Sequence, residues 1–289
     1  MPPMQWPAVR IGYIGFGEAA QAFVAGWREA GYAAEIRAFD IVDKTRACAA
    51  LGVGFMRNVE DLRDNCTHLI SAVTADQQLN AATAVRQLSP GQHYWDVNSV
   101  APGNKIRAGD LLGTGFLDLA VLSPVNPQRH QSPIIAAGSV TPSLQTELQA
   151  FFPNASVVSD AVGDATRIKM IRSVFVKGIE AVAAECALAA YQAGLDETIF
   201  PSLDNVLRHT TARGLTDYTM ERVAVHGIRR AAEMEEVCAT LAELGVPSHM
   251  SQAAVRMQRL IGNMHLSDVP VDSSVISRLV LNILSEENK

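Results

Sequence analysis

Between Val9 and about Asp160, short apolar runs alternate with segments of helical periodicity. The runs 9–15 (VRIGYIG), 34–40 (AEIRAFD), 68–73 (HLISAV), 94–100 (YWDVNSV), 115–122 (GFLDLAVL), 133–138 (PIIAAG) and 155–160 (ASVVSD) read as strands. They are apolar on both faces, which predicts a mainly parallel sheet covered on both sides by helices such as 18–31 and 76–88. Past Gly163 the strand signals stop. Helices are expected over 165–193, 196–208, 215–224, 228–244, 248–262 and 273–285, with Gly194, Pro201, Gly214, Gly245-Val246-Pro247 and Pro270 as breakers. The expected fold class is therefore α/β, with a sheet domain over 1–163 and an all-helical domain over 164–289. A helical half this apolar is expected to bury surface against a second subunit, with a homodimer as the default.

Composition narrows the function. A chain of 289 residues with 48% hydrophobic and 19% charged positions has the make-up of a soluble globular protein. The net charge of −6 argues against nucleic acid or an anionic membrane as the main partner. The first ten residues, MPPMQWPAVR, lack the basic and apolar regions of a leader, and no apolar run reaches the roughly 18 residues of a membrane span. A cytoplasmic enzyme or binding protein is expected. Cys48, Cys66, Cys186 and Cys238 are scattered without metal-ligand spacing, so buried thiols rather than a metal site are expected.

The first strand runs into Gly15, Gly17 and Ala20, a G-x-G-x-x-A turn that opens a helix. Gly15 suits the tight turn, Gly17 lets a pyrophosphate approach the backbone, and Ala20 lets helix and strand pack closely. The next strand ends in Asp40, placed to grip a ribose hydroxyl and to repel a 2′-phosphate. This is a Rossmann-type dinucleotide site with NAD as the expected cofactor; Lys44 and Arg46 keep NADP open. Gly15, Phe16, Gly17, Glu18, Ala19 and Asp40, joined by Val73, Thr74 and Asn98 beyond later strands, are the expected cofactor contacts.

The run KMIRSVFVKG (169–178) puts Lys169, Arg172 and Lys177 into an otherwise apolar helix, where unpaired cations would be costly. Its setting explains why. The order of IGYIGFGEAAQAF, WDVNSVAPG, GFLDLAVLSP and VGDATRIKMIRS resembles the β-hydroxyacid dehydrogenase family, which includes 3-hydroxyisobutyrate and 6-phosphogluconate dehydrogenases, and is most similar to its phosphogluconate-dehydrogenase-like branch. Asp96, Ser99 and Pro102 match the family's D-x-x-[ST]-x-x-P, and Asn98-Ser99 resembles the Asn-Ser of the sugar-phosphate members. Gly163 precedes Lys169 by six residues, as the family's glycine precedes its catalytic lysine. The resemblance implies that Lys169 is the general acid/base, that Ser173, standing where the family has Asn, is a second catalytic residue placed to hydrogen-bond substrate or lysine, and that Asn98 and Ser99 meet substrate. Such a lysine works when partial burial or a neighbouring cation lowers its pKa, and Ile168, Met170, Ile171, Phe175 and Arg172 are the residues at hand. Lys177, on the same helix face, suggests an anionic group on the substrate.

Two departures bear on substrate. Leu122-Ser123-Pro124 replaces the family's Ser-Gly-Gly, and Pro124 has no N–H to offer, leaving Ser123 as the substrate-facing candidate. Ala232-Glu233 replaces its Lys-Asp pair; Arg229 or Arg230 could substitute, although a solvated face paired with Glu233 and Glu235 accounts for both arginines. His209 and His226 read as structural or exposed, and Met234, Met250, Met257 and Met264 as core fillers. The implied activity is an NAD(P)-dependent oxidoreductase acting on the CH–OH group of a small, anionic β-hydroxyacid-like substrate. Imine reduction and non-catalytic NAD binding are the alternatives.

Overall fold

In the computed structural model, which describes residues 9–207, 211–266 and 268–287, contacts divide the chain into two compact units, one ending at Val174 and one starting at Phe175. The first is built on strands β1 (Ile11–Ile14), β2 (Ile36–Phe39), β3 (Val53–Phe55), β4 (His68–Ser71), β5 (His93–Asp96), β6 (Phe116–Val121), β7 (Ile134–Ala137) and β8 (Ala155–Ser159). They form one sheet in the order β3-β2-β1-β4-β5-β6-β7-β8, parallel throughout except between β6 and β7. Its helices are α1 (Glu18–Glu29), α2 (Thr45–Ala50), α3 (Val59–Asn65), α4 (Gln78–Val85), α5 (Pro102–Leu112) and α6 (Pro142–Phe151).

Strand β1 is buried along its whole length, as a two-sided sheet requires. Helix α1 presents Ala20, Phe23, Val24 and Trp27, all fully buried, at helical spacing. Trp27 packs edge-on against Phe151 and Phe152 at 5.1 and 5.5 Å between centroids, and its indole N–H donates to the Phe151 carbonyl at 2.7 Å. A large apolar ring is thus buried with its polar tip satisfied.

The register decides where a ligand can sit. Ile14 is paired with both Phe39 and Ser71, and Ser71 with Asp96, so the carboxyl ends of β1, β2, β4 and β5 are level. Chain order runs one way from β1 to β2 and the other way from β4 to β5. The turns that leave these four strands open at this reversal, where parallel sheets bind ligands.

The expectation missed β3, which has three residues and a central glycine, and which pairs with β2 alone at the sheet edge. Seven strands fall where the apolar runs place them.

The second unit contains most of α7 (Asp164–Ala193), which starts in the first, with α8 (Asp196–Leu207), α9 (Ala212–Glu243), α10 (His249–Gly262) and α11 (Ser273–Glu287). The helices expected at 215–224 and 228–244 are one helix, α9. Gly227 interrupts the side-chain pattern for packing, since a Cβ there would lie 2.4 Å from Gln258 O and 2.9 Å from the Gly262 Cα on α10. Gly214 lies in the first turn of α9, its N–H donating to the Thr211 hydroxyl at 3.1 Å. Pro201 lies inside α8, where it removes one backbone hydrogen bond without ending the helix. Ala224, Ile261, Ile276 and Val280 form a small core, with Met264 packed against it, whereas Met257 is exposed. Glu185 accepts from Met250 N, Ser251 N and Ser251 Oγ at 2.7, 2.8 and 2.6 Å, holding the start of α10 to α7. His209 lies outside the described residues. No helix among the described residues is long and apolar enough to cross a membrane.

Candidate cofactor and catalytic site

The glycine turn has the geometry expected of a phosphate-binding loop. Gly15 has φ +85°, and a Cβ there would lie 2.5 Å from Ala72 O and 2.7 Å from Val73 Cγ1, so the turn needs glycine for conformation and for space. Gly17 differs. A Cβ on it would meet no protein atom within 4 Å, yet it lines the cavity at the sheet edge and stands as the N-cap of α1. The protein's own packing does not require glycine at 17, and the space beside it at the helix N-terminus is open.

That cavity has a volume of 710 Å³ and is bordered by Gly15, Gly17, Glu18, Ala19, Asp40, Val73 and Thr74 among the expected contacts. Lys44, Arg57, Asn58, Gln77 and Asn80 also border it. Phe16 is buried behind it, and its N–H donates to Asp40 Oδ2 at 2.7 Å, while Val42 N–H donates to Asp40 Oδ1 at 2.9 Å. Two backbone bonds thus fix the carboxylate, and each oxygen keeps lone-pair capacity for a ribose hydroxyl. Burial, with the nearby Asp40 and Asp43 charges, pushes the Cys48 thiol up to about 11, and burial likewise pushes Cys66 up to about 11, so neither is thiolate at neutral pH.

Asn98, also an expected cofactor contact, is not among the residues that border this cavity, but it bonds to Val73, which is. Its side-chain oxygen accepts from Val73 N–H at 2.6 Å, and its amide donates to Ser71 Oγ at 2.9 Å and Asp96 Oδ1 at 2.7 Å. It therefore supports the wall from behind and is itself buried. The next residue, Ser99, is exposed, and Lys169 Nζ donates to its hydroxyl at 2.5 Å. Arg172, three positions further along α7, donates to the Leu122 carbonyl at 2.8 Å and so holds the entry to the loop that carries Ser123. Ser123 Oγ is half-buried and bonds to Pro124 O at 3.1 Å and Gln128 Oε1 at 3.2 Å within that loop.

Ser173 donates to the Lys169 carbonyl at 2.9 Å, a bond to the preceding helical turn. Lys177 is exposed and belongs to the second unit. Arg229 pairs with Glu233 one turn away, Glu235 pairs with Arg259, Arg230 is half-buried, and His226 is exposed. Arg57 and Lys105 escaped the sequence reading. The first follows the unrecognised β3; the second stands nine residues after Asp96 on α5, where an isolated lysine reads as a surface residue.

Residues 190–261 match a family model described as a domain of unknown function, DUF1932. A conserved hypothetical protein from Sinorhizobium meliloti 1021 is 30% identical, with 96% of this chain and 97% of that one covered and a TM-score of 0.57. The conserved protein MTH1747, of unknown function and described as structurally similar to 3-hydroxyacid dehydrogenases, is 29% identical over 88% of this chain and 97% of its own, with a TM-score of 0.56. An imine reductase from Myxococcus stipitatus, solved as a variant with NAD+, shares the fold at 16% identity and a TM-score of 0.73, over 94% of this chain and 99% of that one. The enzyme from that organism is also known in complex with NADP+.

Proposed function

The chain belongs to the β-hydroxyacid dehydrogenase-like family, and from that premise we propose that it is a nicotinamide-dependent oxidoreductase acting at the CH–OH carbon of a small, anionic β-hydroxyacid-like substrate. The observation that carries this reading is a continuous set of contacts within the first unit. It starts at the open space over Gly17, passes along the cavity wall to Val73, through Asn98 to Ser99, and ends at Lys169 Nζ.

NAD(P), when bound, supplies or accepts the hydride. Lys169 takes the proton of the substrate hydroxyl during oxidation and returns one to the carbonyl oxygen during reduction. Ser99 holds the lysine side chain and offers a second polar group to the same oxygen. Ser173, one turn beyond Lys169 on α7, directs its hydroxyl to the Lys169 carbonyl and not to the lysine amine. Arg172 steadies the loop of Ser123, which with Ser99 faces the substrate. The likeness in fold to imine reductases supports a second reading, in which a C=N bond is reduced. A panel of β-hydroxyacids, ketoacids and cyclic imines, each with NAD(H) and NADP(H) and followed by nicotinamide absorbance, separates these readings. Turnover confined to hydroxyacids and ketoacids is expected. Cofactor binding without turnover on any member would leave the non-catalytic reading instead.

Asp40 sets the cofactor preference. Its fixed carboxylate suits a 2′-hydroxyl and repels a 2′-phosphate, so NADH is expected to bind about tenfold more tightly than NADPH, or roughly 1.4 kcal/mol. Asp40→Ser is expected to narrow that gap. Equal affinities in the unaltered protein would remove Asp40 as the determinant.

Helix α7 also leaves Ile179, Val182, Leu188 and Tyr191 exposed, Tyr191 to 81%. Apolar surface of this kind marks association, and the assembly proposed is a homodimer. Light scattering is expected to give a mass near twice the 31.1 kDa of one chain; a mass of one chain across the micromolar range would contradict it.

A further inference from the structure

Lys105 is fully buried and has no part in the proton transfer described above. A buried ammonium is costly unless it is paired and hydrogen-bonded, and an all-apolar set in place of a whole buried ion group would often fill the same space more cheaply. Lys105 is paired twice. Its Nζ donates to Asp96 O at 2.6 Å and Asp96 Oδ1 at 2.9 Å, and lies 3.2 Å from Asp118 Oδ1. Asp96 and Asp118 are register partners on β5 and β6, both with no exposed surface, so without a cation they would set two carboxylates side by side in the core.

Each carboxylate fixes one half of the Lys169–Ser99 contact. Asp96 Oδ1 accepts from the Asn98 backbone N–H at 2.9 Å and from the Asn98 side chain at 2.7 Å, which sets the turn that presents Ser99. Asp118 Oδ2 accepts from Gly163 N at 3.2 Å and Thr166 N at 2.9 Å, and its Oδ1 accepts from Thr166 Oγ1 at 2.6 Å. Those bonds hold the first turn of α7, three residues before Lys169. A negative group at a helix N-terminus is also stabilised by the helix dipole. Lys105 is thus the shared counter-ion of two anchors, one under each partner.

We propose that Lys105 is a positioning residue: it locks the Ser99 turn and the first turn of α7 to each other, so that Lys169 meets the substrate oxygen in one geometry. The catalytic part of this inference rests on the oxidoreductase reading; the positional part does not.

The test is amide hydrogen exchange, read by NMR on the full chain, for Lys105→Met beside the unaltered protein. The amides of Asn98, Gly163 and Thr166 are expected to exchange about tenfold faster or more, while those of Phe16 and Val42, bonded to Asp40, keep their protection. With a substrate from the panel, kcat is expected to fall about tenfold or more with the NADH dissociation constant unchanged. Unchanged exchange at both segments, a change at one segment alone, or an equal rise at Phe16 and Val42 would each overturn the proposal. If Lys105→Met does not fold, Lys105→Gln is read in the same way, and failure of both to fold would assign Lys105 to the fold alone. Absence of turnover in the unaltered protein would remove the oxidoreductase reading and leave the exchange result to decide the positional link.

Discussion

Replacing Lys169 by methionine is expected to lower turnover by about two to four decades, the usual scale for a positioned acid–base group, while leaving NADH affinity unchanged. The lysine touches Ser99 at 2.5 Å and borders no part of the cavity over the glycine turn, so its loss should act on the chemical step rather than on cofactor binding. It is half-buried, and methionine keeps its length, so the fold should tolerate the change. Steady-state rates on the best substrate of the panel give turnover, and quenching of NADH fluorescence gives affinity. Unaltered turnover would take Lys169 out of the chemistry.

Gly227→Val is expected to destabilise the helical unit. The added Cβ would meet Gln258 O at 2.4 Å and the Gly262 Cα and N at 2.9 and 3.0 Å, all backbone atoms that cannot rotate away. Overpacking costs about 1–3 kcal/mol where side chains can adjust, and helices α9 and α10 must instead move apart along their contact. The melting temperature of the helical unit is expected to fall by roughly 10 °C in calorimetry. An unchanged melting temperature would mean that the two helices do not cross this closely.

These two positions differ in how readily sequence betrays them. Lys169 stands out because a cation in an apolar helix calls for a partner and because its spacing from Gly163 matches a family pattern. Gly227 looks like a helix break, since a missing Cβ carries the same local signal whether the chain turns or another helix presses against it. The apolar runs mark β1, β2 and β4 to β8; β1, β4, β6 and β7 are buried at every position, whereas burial alternates along β2 and β8. They do not mark β3, because three residues with Gly54 between Val53 and Phe55 are too few to show a period, and pairing with β2 supplies the rest.

The site was legible where chemistry follows from local order. Gly15, Gly17 and Asp40 lie on consecutive turns of one βαβ unit, and the structure brings all three to the same cavity. Ser99 and Lys169 are seventy residues apart, and their contact needed the family pattern. Lys105 was not legible at all. It is polar, sits in the helix PGNKIRAGDLL among other polar residues, and gains its meaning from the β5–β6 register that places Asp96 and Asp118 around it. Arg57 was hidden for a related reason, because it follows the strand that sequence could not find.

The proposed oxidoreductase must receive a dinucleotide in the cavity bordered by Gly17 and Asp40. The most direct test is a fluorescence titration of NADH into the unaltered protein, Gly15→Val and Lys169→Met. Saturable binding to the unaltered protein and to Lys169→Met, with loss of binding in a folded Gly15→Val, is the predicted result. No saturable binding to the unaltered protein, or equal affinity in Gly15→Val, would contradict it.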